Sequence, residues 1–342
     1  MNADRFAAIA GAYPRLRIGV VGDFFLDRYL EIDPALGETS IETGLPVHNV
    51  VRVRSQPGAA GTIVSNLAAL GVGAIHVVGF RGDDGEGYEL REALWAHPAI
   101  VLDHFLIAHD RRTPVYCKPL VLEPGRPPRE LSRLDSKNWT PTPEPLRREL
   151  AKRVLGLTAE VDALILMDQV DQPETGVVTP VVAEAAALAL KARPELTVLV
   201  DSRRGLAGSP PLDFKMNAAE LSRMTGSETG TVAEVAAVAA RLAEGTGRSV
   251  FVTLAERGIV GARAGQGVEH APALPLRGPI DVVGAGDSVT ANLAAALAAG
   301  AGLREALELA MAAASVVVHQ VGTTGTASVR QIADLIDLPS GR

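Results

Sequence analysis

Short apolar runs of strand length alternate with longer segments of helical period through most of this 342-residue chain. Leu16 to Gly22 (LRIGVVG), Ala74 to Gly79, Asp162 to Met167, Leu196 to Asp201 and Ser249 to Leu254 read as buried strands. Between them, Thr62 to Gly71 reads as a helix closed by glycine, and another helix runs through Trp95. Thr179-Pro180 opens a further helix, with proline at its first position. Thr231 with Glu234, and Ser328 with Gln331, have the spacing of capping boxes. Strands that alternate with helices predict an α/β domain with a doubly wound, mainly parallel sheet covered on both faces.

Two stretches break the alternation, Tyr29 to Val53 and Val101 to Asp135. They hold short strand-like pieces such as VHNVVRV and PVYCKPLVL, cut by proline and glycine. Without crossover helices such pieces are expected to form a small separate β-sheet, a lid over one end of the main sheet. Residues 1–342 are therefore expected to form one domain with this lid. An exposed apolar outer face of the lid would make it a dimer interface.

Composition narrows the function classes. A net charge of −7 argues against nucleic acid as the main partner. No apolar run is long enough to span a bilayer, and no signal peptide is visible, so no membrane partner is expected. The single cysteine, Cys117, excludes an intramolecular disulfide and fits a reducing cytoplasm.

The chemistry concentrates in Ile280 to Gly300, IDVVGAGDSVTANLAAALAAG. An apolar, strand-like end leads into Gly284-Ala285-Gly286, and Asp287 stands where a long helix begins. The first N–H groups of a helix lack intrahelical partners and sit at the positive end of its dipole. Glycines allow an anion to approach them, so Gly284, Ala285, Gly286 and the N–H of Asp287 read as a phosphate cradle. A carboxylate beside a bound anion needs a task. Asp287 is either the helix cap or the base that takes a proton from an attacking hydroxyl, and the stretch alone fits both.

Several motifs then share an order with one family. Val21-Gly22-Asp23 with Leu26-Asp27, the run PGAAGTIVSN (Pro57 to Asn66), GFRGDDGEG (Gly79 to Gly87) and KMNAAE (Lys215 to Glu220) resemble the motifs of the ribokinase-like (PfkB) carbohydrate kinases. So do Val252-Thr253-Leu254 with Gly258, Ala312 to Thr323, and the GAGD turn itself. The run VGDFFLDRY and LSRLD (Leu131 to Asp135) resemble the heptose-phosphate kinase subgroup most.

The resemblance implies an ATP-dependent sugar or sugar-phosphate kinase, with Asp287 as base and Gly284, Ala285 and Gly286 as anion hole. It implies that Asp23, Asp27, Gly58, Ala59, Gly61 and Thr62 face the sugar. Asn217, Glu220, Thr253, Gly258, Ala313 and Val317 would line the nucleotide, with Glu220 holding Mg²⁺ through water. Asp281 is a candidate ligand for a monovalent cation, and His319 would pack near the adenine.

The sequence departs from the family pattern at several places. Ala59 and Ala255 stand where glycine is usual, Thr62 where asparagine is usual, and Glu38 where the subgroup tends to have arginine. Glu38, if it faced the pocket, would repel a distal phosphate, so an unphosphorylated acceptor is expected to be preferred. No nucleotidyl-transferring domain is expected beyond residue 337. Two other readings stay open, a nucleoside kinase of the same superfamily and a sugar-sensing protein without turnover. A dinucleotide oxidoreductase is disfavoured, because GDFFLD and not G-x-G-x-x-G follows the first strand.

Overall fold

A computed structural model describes residues 1–336. In chain order its strands are β1 (Arg17–Gly22), β2 (Phe24–Ile32), β3 (Glu38–Thr39), β4 (Pro46–Val47), β5 (Val50–Ala59) and β6 (Ala74–Gly82). They continue with β7 (Ile100–Ala108), β8 (Val115–Val121), β9 (Arg129–Glu130), β10 (Leu134–Ser136), β11 (Ala163–Asp168) and β12 (Thr197–Ser202). The last are β13 (Asp213–Asn217), β14 (Ser249–Thr253), β15 (Ile259–Arg263) and β16 (Gly267–Ala271). The helices are α1 (Ala3–Ala10), α2 (Ala60–Ala69), α3 (Gly85–Trp95), α4 (Glu144–Leu157) and α5 (Pro180–Ala192). They end with α6 (Ala218–Thr225), α7 (Val232–Thr246), α8 (Ala285–Ala298), α9 (Leu303–Val317) and α10 (Val329–Ile336).

Nine strands form the main sheet in the order β16-β15-β14-β13-β12-β11-β1-β6-β7. It is parallel from β14 to β7 and turns antiparallel only at β15 and β16. Side chains alternate along β1, so Ile18 and Val20 enter one core and Val21 the other. Helices α1, α2, α3, α8, α9 and α10 cover the first core, and α4 to α7 the second. The doubly wound, mainly parallel architecture is thus present. The Thr231–Glu234 and Ser328–Gln331 boxes form as expected, each with reciprocal side-chain and backbone bonds.

The lid is a second sheet, β10-β8-β2-β5, with β9 on β8. Its boundaries differ from expectation. Residues 100–108 are not lid. They form β7, the edge of the main sheet, parallel to β6. The stretch VLDHFLIA lacks a clear alternation because residues of both faces pack into a core while the open edge leaves most of them half-buried, so period alone could not assign it. Conversely, the lid begins at Phe24, with only Asp23 between it and the end of β1, which carries Asp27 straight from the sheet's carboxyl edge into the lid.

Candidate active site

Chain order reverses between β1 and β11, which places a crevice at their carboxyl ends, the usual ligand position in such sheets. Asp23, Asp168, Asp201, Asn217 and Thr253 all sit at or next to the carboxyl ends of their strands. The lid and the start of α8 close over this edge, and the site is built between them.

Gly284, not Asp287, is the N-cap of α8. Its φ of 80° is left-handed, and a Cβ there would stand 2.7 Å from Cγ2 of Thr324 and 3.6 Å from Cγ2 of Thr62. Asp287 is the third helical residue, and no side chain caps this helix. The capping alternative is therefore excluded by position. The preceding segment, Ile280 to Val283, is no strand. Val282 and Val283 are exposed and the backbone is irregular. Ala285 leaves the expected cradle, because its N–H bonds the Val282 carbonyl at 3.2 Å. The N–H groups of Gly286 and Asp287 remain as the free donors at the helix start.

Burial pushes the Asp287 carboxyl up to about 7; Lys215 pulls it down, while Asp201 and Asp27 push it further up. Thr324 joins β2 to the start of α8, its methyl lying against the Gly284 turn and its hydroxyl against Asp27. Oδ2 of Asp27 lies 3.4 Å from the Thr324 hydroxyl and 3.8 Å from Nζ of Lys118. Its Oδ1 is buried without a partner. Burial raises this carboxyl too, with Lys118 and Thr324 opposing. A buried carboxylate oxygen left open is costly unless a ligand hydroxyl completes it. Gly58 makes the arrangement possible, since a Cβ there would meet Cγ of Asp27 at 2.8 Å. Gln56 binds the Thr324 hydroxyl at 2.7 Å and completes this cluster.

Other expected site residues lie elsewhere or are occupied. Both oxygens of Asp23 accept backbone bonds, from Val177 (2.7 Å) and Gln169 (2.8 Å). Burial and neighbouring Asp168 push it up to about 7. It ties β1 to the loop after β11, each of its oxygens already taking one backbone N–H. Gly61 is needed for packing, as a Cβ would fall 2.4 Å from that of Pro57. Thr62 is buried and turns its methyl towards the Gly284 turn. Ala313 and Val317 face the core with 0% and 1% exposure, so neither is open to a nucleotide. At the C-terminal end of that helix the half-buried positions are Ala314 and, just past the end, Val318, each one residue further on. His319 lies beyond α9, its ring bridging Ser315 O and the N–H of Arg277.

Asn217 and Glu220 form a reciprocal capping box at the start of α6. Only Oε2 of Glu220 is used, accepting from Asn217 N at 2.7 Å. The remaining hard carboxylate oxygen suits a magnesium-bound water. Thr253 ends β14, its hydroxyl 3.4 Å from the Met216 carbonyl. Gly258, at φ 92°, turns the chain into β15. Asp281 accepts from Val283 N and Gly322 N, holding the segment after α9 against the approach to the turn. Among the described residues no cluster of three or more metal-ligating side chains occurs.

Residues 212–330 match the model of the pfkB family carbohydrate kinases. The bifunctional protein HldE of Azorhizobium caulinodans is 33% identical over 314 residues, 90% of this chain and 61% of that protein. That of Rhodospirillum rubrum is 33% identical over 326 residues, covering 93% and 62%. Residues 212–330 thus carry the mark of the pfkB carbohydrate kinases, and the similarity to these relatives extends over 90% or more of the chain. The chain spans about three fifths of the length of these curated relatives. Among solved structures, Arabidopsis thaliana ribokinase complexed with ribose and ATP superposes with a TM-score of 0.69 at 21% identity, covering 95% of this chain and 99% of that one. Escherichia coli phosphofructokinase-2 in complex with substrates and products gives 0.73 at 18%, covering 94% and 98%. The fold is ribokinase-like.

Two departures from the pfkB pattern have a backbone reason. Ala59 and Ala255 replace glycines, and both adopt positive φ, 55° and 53°. With ψ of −120°, Ala59 occupies a region that only glycine enters without strain. Such strain costs about 1–3 kcal/mol, against about 0.5–1 kcal/mol for the extra freedom of glycine when unfolded. Ala59→Gly is therefore expected to stabilise the protein by about 1 kcal/mol, read as a higher urea midpoint at unchanged slope. A lower midpoint would contradict the strain assignment.

Glu38 gives a correction. It lies on the exposed β3–β4 ribbon, with Oε1 accepting from Asn49 at 2.6 Å. The charge beside Asp27 is instead Lys118. The reason for expecting an unphosphorylated acceptor is thereby removed. No helix among the described residues is long and apolar enough to cross a membrane.

Proposed function

We propose that this protein transfers the terminal phosphoryl group of ATP to a hydroxyl of a sugar or sugar phosphate. The observation that carries the reading is an uncapped carboxylate, Asp287, beside two free helix-start N–H groups and opposite the open Oδ1 of Asp27. A cap would spend that carboxylate on the backbone, and a sensor would have no use for a base beside an anion hole.

In this reading Asp27 accepts a hydrogen bond from one acceptor hydroxyl and so orients another towards Asp287. Asp287 takes the proton as the oxygen attacks, and the N–H groups of Gly286 and Asp287 receive the charge on the moving phosphoryl group. Nucleotide lies across Asn217, Thr253 and Gly258. Glu220 would hold Mg²⁺ through water, and the ion would neutralise phosphate charge. A two-substrate site is supported by the solved structures of similar fold, ribokinase complexed with ribose and ATP and phosphofructokinase-2 in complex with substrates and products. ATP consumption against a panel of sugars, sugar phosphates and nucleosides tests the reading. Turnover confined to nucleosides would replace it with nucleoside phosphorylation, and no turnover with any acceptor would end it.

A second copy of the chain is the proposed partner of the lid. Val51 and Val53 point away from the Asp27 face and are 52% and 49% exposed, with Ile41 at 98% and Leu45 at 64% nearby. Sedimentation is expected to give a dimer for the parent and a monomer for Val53→Asp. A monomeric parent at micromolar concentration would exclude this interface.

A further inference from the structure

Beside the Gly284–Asp287 turn lies a buried ammonium that the mechanism above does not use. Lys215 is 7% exposed on β13, and its Nζ donates to Oδ2 of Asp201 on β12 at 2.6 Å. The Thr290 hydroxyl on α8 is 3.3 Å from the same oxygen and 3.1 Å from the Gly286 carbonyl. A Cβ on Gly286 would come within 3.2 Å of Nζ, so the ammonium lies directly against the start of α8. An ion pair buried this deeply contributes little net stability and is costly to leave half-made. Its placement asks for another reason.

We propose that Lys215 is a positioning residue, a fixed positive charge held by Asp201 against the α8 turn so that Asp287 stays ionised and oriented for the acceptor. This deepens the kinase reading and rests on it. The charged groups facing Asp287 are Lys215 from β13, Asp201 from β12 and Asp27 from β2. Of these only Lys215 favours the ionised form. Burial disfavours the charge on Lys215 itself, but Asp201, then Asp287 and Glu220, hold it protonated. Among the described residues no other cation acts on Asp287, so removing the ammonium leaves it facing two carboxylates.

The proposal separates from a structural role by pH. With the acceptor found for the parent, Lys215→Gln is expected to lower kcat about 10²-fold with the KM for ATP little changed. The acid limb of its rate profile should move up by about one pH unit, the least effect of losing a neighbouring opposite charge. Lys215→Arg should restore most of kcat and return the limb. If Lys215→Gln does not fold, Lys215→Gln with Asp201→Asn removes both charges and leaves no orphan. The double variant should fold and still show the fall in kcat. A folded variant with parental kcat and an unmoved limb overturns the proposal. A parent without turnover on any acceptor overturns the kinase reading instead, so the two failures are distinguishable.

Discussion

Asp287→Asn is expected to fold and bind nucleotide like the parent while turning over roughly 10²–10⁴-fold more slowly, the usual contribution of a positioned proton acceptor. Asparagine keeps the size of the side chain and cannot accept the proton. No cap is lost, because Gly284 occupies the N-cap and Asp287 makes no capping bond. The melting temperature should therefore stay within about 2 °C, a change of under about 1 kcal/mol for a chain of this size. Single-turnover ATP consumption at saturating acceptor measures the chemical step directly. A rate near that of the parent would remove Asp287 from catalysis, whatever else the site does.

The second large effect is on pH. With its carboxyl pushed up to about 7, Asp287 is ionised above that value and protonated below it. A protonated base cannot act, so kcat/KM for the acceptor should be level above about pH 7 and fall about tenfold per unit below it. Unfolding in acid would not mimic this through the same group. A carboxyl at about 7 in the folded chain, against 3.8 as the ordinary value, binds its proton more tightly when folded. Its contribution to stability thus grows as pH falls from about 7 towards 4 and shrinks as pH rises. Loss of rate at pH 6 with a melting temperature held or raised would identify titration of the base. A profile level down to pH 5 would show that Asp287 is not the group that titrates, or that it is not the base.

Much of this was legible in the chain because it is local. The period of two or 3.6 is set by neighbouring residues, and the capping boxes at Thr231 and Ser328 close within four residues. GAGD before a long alanine-rich run announces a helix start, and a helix starts there. The lid was legible for the same reason, as strand-like pieces without the helices that parallel pairing needs.

What failed was decided at a distance. Residues 100–108 join the main sheet because β6 offers a parallel edge, which no feature within the segment announces. Asp23 and Asp27 look alike in GDFFLD, yet one is spent on the backbone of Gln169 and Val177 and the other faces the site. The difference is that Asp23 follows the end of β1, whereas Asp27 lies within β2 in the lid. The inward face of α9 was misread by one residue at Ala313 and Val317, because its second half, Ala310 to Val317, is apolar except for the buried Ser315 and has no polar stripe to mark its register.

The sequence by itself therefore determined the layered α/β architecture, the helix starts and the place of Asp287 in the first turn of α8. These follow from dihedral preference and hydrophobic period, both short-range. Only the tertiary structure decided that Asp27 meets Lys118 and Thr324, and that Lys215 and Asp201 join beside α8. The positions in each pair are brought together by strand order and by the crossing of a helix over the sheet's carboxyl edge. Their charges act across that gap because burial removes the water that would otherwise screen them.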